Sequence, residues 1–354
     1  MLTLPHIGLK SWTSLFGRRL SSYAAVLVAV AAGLLAPGNV SLLLGPVLVV
    51  GLVLLGIAHG ACDQFVMPAQ YPALASGRIR YWASFLGAYL GLAAAVGVLW
   101  WWQPVTAIAL FFGLTAWHWG SADAPALSRH RGRWLVHSLL RGSLLFAVPL
   151  VWWPTETGGI ISGLLALTGA APVSTAAVAQ AAALLGPGVL AGHLLLWLSY
   201  CWQGQSGLAR TDLLEVLLLT TLLIVLPPVL SAGVYFVFWH SLQHVLRMNQ
   251  LMGRTTAGRW PELGADLRFF LRRAAPLLLI SVVGLAVLYG LGWARTASGP
   301  VLVSLILLAA SIVTLPHALL VTLSMDAARW RSGPVAPSHS DGPTAAQNSS
   351  PTEG

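Results

Sequence analysis

The chain consists of long apolar runs separated by short polar gaps. Runs at 22–37, 41–59, 81–102, 104–119, 134–153, 176–201, 213–231, 232–247, 275–293 and 299–324 are each close to the roughly 20 residues that a helix needs to cross a bilayer. Hydrocarbon offers the backbone no hydrogen-bond partners, so such runs satisfy their own N–H and C=O groups as helices. The expected fold is an all-α polytopic membrane bundle with about 8–10 transmembrane helices. Composition agrees: 57% of residues are hydrophobic and 8% charged, where a soluble domain has about 25% charged. Two places leave the count open. Residues 157–171 read equally as a re-entrant piece, and Pro227-Pro228 either break one helix or divide two. The first run follows Lys10, Arg18 and Arg19 and resembles a signal peptide in outline, but without a small-x-small cleavage site it reads as an uncleaved helix.

Basic residues orient the bundle. With a cytoplasmic N-terminus, the gaps 1–21, 60–80, 120–133, 202–212, 248–274 and 325–354 face inward and hold nearly all the arginines; Arg141 and Arg295 fall elsewhere, and Arg247 sits at an edge. The expectation is a multi-pass protein of the cell membrane with both termini in the cytoplasm. The net charge of +9 is dispersed over these gaps rather than gathered in one patch, which argues against a nucleic-acid partner. Residues 1–331 read as one transmembrane catalytic domain. The stretch 332–354 is rich in Pro, Ser, Gly and Thr and is expected to be disordered. Cys62 and Cys201 form no CxxC pair, so both read as packed reduced thiols, with a thiolate ligand at Cys62, beside His59, as the alternative.

Against so few ionisable groups, the histidines stand out. "GIAHGACDQF" carries His59 and Asp63, "TAWHWGSAD" carries His118 and Asp123, and "VFWHSLQHVLRMNQ" carries His240 and His244. Each stretch ends a run that points to the same side under the orientation above, so the three are expected at one membrane depth. His240 and His244 are four apart and share a helix face, with Cβ atoms about 6 Å apart. Ionisable groups inside a membrane are costly and usually functional. The four imidazoles are therefore candidate ligands, and they favour Fe(II), Zn(II) or Cu(II) over Mg(II) or Ca(II). Asp63 and Asp123 have two roles open: accepting the second ring N–H of a ligating histidine, or binding the metal directly. His317, near the end of the last run, is a further candidate for ligand or substrate contact. His193 lies deeper, and His130 and His137 flank a basic gap and are expected to be solvated. Trp117, Trp119 and Trp239 flank the proposed ligands and are expected to wall an apolar pocket, or to pack around it.

Taken in order, "HGACD", "HWGSAD", "WHSLQH" and the late "PH" resemble the Brp/Blh family over residues of about 50 to 325. The resemblance implies an integral-membrane β-carotene 15,15'-dioxygenase associated with microbial rhodopsin systems. It further implies cleavage of the central double bond by O₂ to give two molecules of retinal, with Fe(II) held by His59, His118, His240 and His244. A C40 hydrocarbon dissolved in the bilayer suits a largely apolar pocket. Three other readings remain open: a membrane lipid desaturase or hydroxylase, a metal-ion or proton transporter, and a non-catalytic assembly protein for a rhodopsin. A desaturase needs more histidines for two irons, and a transporter needs polar groups at several depths.

Overall fold

The architecture comes from a computed structural model, which describes residues 9–75, 77–124, 131–254, 260–295, 299–327 and 329. The tail expected to be disordered and His130 lie outside them. The described residues are helical and contain no strand. In chain order the α-helices are α1 Leu9–Leu35, α2 Val40–Gly51, α3 Ala58–Gly60, α4 Val66–Gln70, α5 Arg78–Trp102, α6 Pro104–Asp123 and α7 Arg131–Trp152. They continue with α8 Pro154–Ala166, α9 Thr175–Trp202, α10 Ser206–Val225, α11 Pro228–Val234, α12 Leu242–Leu251, α13 Leu263–Arg295 and α14 Gly299–Leu320.

Prolines mark several starts, as expected for a residue whose missing N–H costs nothing in the first turn: Pro104, Pro154 and Pro228 each open a helix. The open question at Pro227-Pro228 is thereby answered, because α10 stops at Val225 and α11 begins at Pro228. The doubtful stretch 157–171 is helical to Ala166, in a helix that begins directly after α7. Six helical stretches among the described residues are long and apolar enough to cross a membrane: 37–70, 78–102, 131–152, 175–202, 263–291 and 303–325. Helices α6 and α10 are not among the six; they carry His118 and Asp123, and Asp212 and Glu215, on buried positions.

The protein is a polytopic helical membrane bundle with α7 as its inner post. Over half of the apolar stretch of α7 is buried, against 6% for α13 and 11% for α5. The outer helices turn large apolar side chains outward, such as Leu35, Leu184 and Leu195, which suits a lipid solvent. Small residues let α6 and α7 touch backbone to backbone. A Cβ on Gly120 would lie 1.8 Å from the Ser138 carbonyl oxygen, and one on Gly142 would lie 1.7 Å from that of Ala116. That crossing sets the position of His118, two residues before Gly120.

Candidate metal centre

Three π-helical turns sit at the histidines. They span Leu52–Ile57, just before His59; Tyr235–Ser241, which contains His240; and Val321–Met325, which begins four residues after His317. A π turn holds one extra residue, so it rotates the residues beyond it by roughly 100° relative to an uninterrupted helix, and such turns are frequent at functional sites. The turns at 52–57 and 235–241 pack against each other. Glycine permits part of that contact, since a Cβ on Gly56 would lie 2.9 Å from the Phe236 ring.

Five imidazoles converge there. His59 has ring centroids of His317, His244 and His240 at 4.9, 5.2 and 5.8 Å. His118 has those of His317 and His240 at 4.8 and 4.9 Å. His244 lies 5.3 Å from His317 and 6.3 Å from His240. All five are buried. Both ring nitrogens of His118, His240 and His244, and Nε2 of His317, lack a hydrogen-bond partner among the described residues. Buried polar atoms are rarely left so, because each costs about 1–3 kcal/mol. One donor atom each from Asp63, His244 and His317 lies within 4.8 Å of the others, close enough to share a metal ion.

The two aspartates part company. Nδ1 of His317 lies 2.8 and 3.0 Å from the carboxylate oxygens of Asp63. An ionised Asp63 accepts the Nδ1–H, which turns the Nε2 lone pair toward the other rings. Tyr89 donates its hydroxyl to the same carboxylate at 3.2 Å. Asp63 thus serves His317 rather than His59, the histidine four residues before it. Among the described residues Asp123 makes no hydrogen bond to a ring of the cluster; its Oδ2 accepts from the Tyr235 hydroxyl and the Trp239 indole, each at 2.9 Å. The tryptophans also divide. Trp119 packs beside His240 at 5.7 Å and stacks on Phe236 at 5.6 Å. Trp117 donates to Thr322, tying α6 to the last π turn, and Trp239 points to Asp123. Trp119 thus has a ring contact with a histidine of the centre. Phe236, 5.5 Å from His59, and Ser241, whose hydroxyl is 3.4 Å from Nδ1 of His59, are not legible as site residues in the sequence. Their one signal is adjacency to His240, on a turn whose rotation the sequence does not announce.

A second polar cluster lies behind the first. Arg141, 2% exposed, donates to Glu215 at 2.7 Å and sits 3.5 Å from Asp212 and 3.7 Å from Asp123. The expectation of a solvated His137 fails here. It is fully buried, with one ring nitrogen 2.8 Å from Asp212 and the other 2.8 Å from the Tyr200 hydroxyl. The buried arginine needs carboxylates nearby, and α10 supplies them beside α7. His193 is buried on α9, with Nδ1 2.9 Å from the Val189 carbonyl and its other ring nitrogen unpartnered, away from the centre. Cys62 is buried and Cys201 exposed, both as free thiols.

Comparison with known proteins covers the segment that holds this centre. The family model described as β-carotene 15,15'-dioxygenase matches residues 50–325. A probable β-carotene 15,15'-dioxygenase Blh of Halobacterium salinarum is 29% identical over 292 residues, 78% of this chain and 82% of the relative. A probable β-carotene 15,15'-dioxygenase Brp of the same species is 27% identical over 321 residues, 83% of this chain and 86% of the relative. No solved structure matches the chain. All five converging histidines fall inside the matched segment, and with more than three quarters of its length covered, the chain belongs to the β-carotene 15,15'-dioxygenase family.

Proposed function

We propose that this protein is a membrane-embedded non-haem iron dioxygenase that cleaves the central 15,15' bond of β-carotene with O₂, giving two molecules of all-trans-retinal. The observation that carries the reading is the set of buried imidazole nitrogens without partners, gathered within the family segment. Those donors fit a borderline first-row ion, and His59, His118, His240 and His244 would hold it. His317 joins them through Nε2, with Asp63 fixing its tautomer. When bound, iron supplies the activation of O₂ that a closed-shell hydrocarbon needs.

The chain's own part is placement and exclusion. Trp119 and Phe236 give the centre an apolar wall suited to a polyene. An apolar groove of about 460 Å³ opens between Gly51, Leu54, Leu55, Phe238, Leu267 and Leu271. Leu55 lies on the π turn just before His59, so the groove borders one of the elements that carry the histidines. Water is kept from the rings by their burial. No carboxylate is needed at the cleaved bond, and Asp63, the one nearest the rings, is engaged by His317 and Tyr89. The arginine distribution supports cytoplasmic termini in a cell membrane, and a retinal product supports a microbial rhodopsin as functional partner.

Metal analysis of purified protein, combined with chromatography of products from carotene-producing cells, tests this. Near-stoichiometric iron and retinal are expected. Protein that folds but contains no iron and yields no retinal would overturn the reading.

A further inference from the structure

The family segment begins at residue 50 and leaves out α1, yet α1 reaches the back of the histidine centre. Its Arg19 places Nη1 2.8 and 2.7 Å from the two carboxylate oxygens of Glu215, and Nη2 donates to the Asp123 carbonyl at 3.2 Å. Tyr23 donates to the same Glu215 at 2.6 Å and packs edge-on against Trp239, with ring centroids 5.5 Å apart. The Arg19 guanidinium lies 5.7 Å from the centre of the Trp239 ring. Ser22 accepts from the side-chain amide of Gln243, which stands between His240 and His244.

These contacts bear on one piece of backbone. Trp239 precedes His240, and its indole is clamped on three sides: by Asp123 at the nitrogen, by Tyr23 at the edge, and by Arg19 over the ring. The turn it belongs to is π-helical, so its rotation is not set by the ordinary i to i−4 ladder alone and depends on what packs against it. Glu215 is shared by Arg19 and Arg141, which links α1 to α7 and α10 behind that turn. We propose that α1 is a working part of the centre, and that Arg19, Ser22 and Tyr23 are positioning residues for the π turn carrying His240 and for the start of α12, which carries His244. Their relevance to catalysis rests on the proposed dioxygenase function; their hold on the turn does not.

Amide hydrogen exchange on the full-length, metal-free protein in lipid nanodiscs reads that hold directly. In Arg19→Met and in Tyr23→Phe, amides of 235–249 should exchange roughly tenfold faster, as loss of charge-assisted hydrogen bonds implies, while 104–118 keeps its protection. Arg19→Lys should recover only part, because an ammonium lacks the planar fork that serves Glu215 and the Asp123 carbonyl together. Ser22→Ala, which removes one hydrogen bond and no charge, provides the same readout should the arginine variant fail to fold. In the iron-loaded enzyme, kcat for β-carotene should fall several-fold at constant KM. Unchanged exchange at 235–249, or acceleration spread evenly over every helix, would overturn the proposal. The exchange result decides it whether or not the wild-type protein makes retinal, so its failure is distinct from failure of the proposed function.

Discussion

Two buried polar clusters lie back to back in this bundle, and they use their polar atoms differently. Around Arg141, carboxylates, guanidinium groups, His137 and tyrosine hydroxyls answer one another within 2.6 to 3.7 Å. Around His240, six ring nitrogens of three histidines and Nε2 of His317 face one another with no donor–acceptor match. Neutral imidazoles gathered at about 5 Å gain little from each other. Burying them is worthwhile where an additional group takes their lone pairs. The paired cluster reads as frame, the unpaired one as site, and they meet at Trp239 and His240, neighbours in the chain.

Breaking the unpaired cluster should cost function outright. His240→Ala is expected to abolish bound iron and retinal formation together while the protein still elutes as a folded species; full activity in that variant would remove His240 from the ligand set. Breaking the paired cluster should cost stability instead. Arg141→Met removes the buried cation shared by Glu215, Asp212 and Asp123, a loss of about 3–5 kcal/mol, to be measured by denaturant titration in micelles. Stability unchanged in that variant would show the charges to be solvated rather than paired. Gly120→Ala pushes a methyl into the Ser138 carbonyl and should destabilise by about 1–3 kcal/mol, with His118 displaced, seen as lowered thermal stability and weaker metal retention.

A subtler change tests the seam within the site. Asp63→Asn removes the charge that holds the His317 ring and should weaken iron binding by about 10–100-fold, read by equilibrium dialysis. Metal affinity equal to wild type would confine His317 to packing. The smallest effect is expected at the lipid face: Val28→Ala, on an exposed position of α1, should change stability by less than about 0.5 kcal/mol and leave activity intact.

Much of this is legible in the residues. The runs and their proline boundaries predict the helices, because hydrocarbon forces each crossing to satisfy its own backbone. The positions of His59, His118, His240 and His244 at run ends predict a shared centre, because buried imidazoles need a reason. His317 is visible in the sequence only as a candidate, and its partner Asp63 lies 254 residues away in the chain, a separation that no spacing rule covers. Asp123 reads as a neighbour of histidine in the sequence, since a straight continuation past Gly120 does not say which way its carboxylate points. His137 reads as solvated because its flanking charges are basic, whereas Asp212 and Tyr200 come from other helices to bury it.

Local physics thus determines from the chain alone that it forms apolar helices and where their polar ends lie, since period, length and capping act within a few residues. The tertiary structure decides which polar ends are partnered and which are left facing each other. That depends on rotations introduced by three π turns and on a glycine crossing between α6 and α7. Both act at contacts between helices distant in sequence, where a change of one residue in register exchanges one neighbour for another.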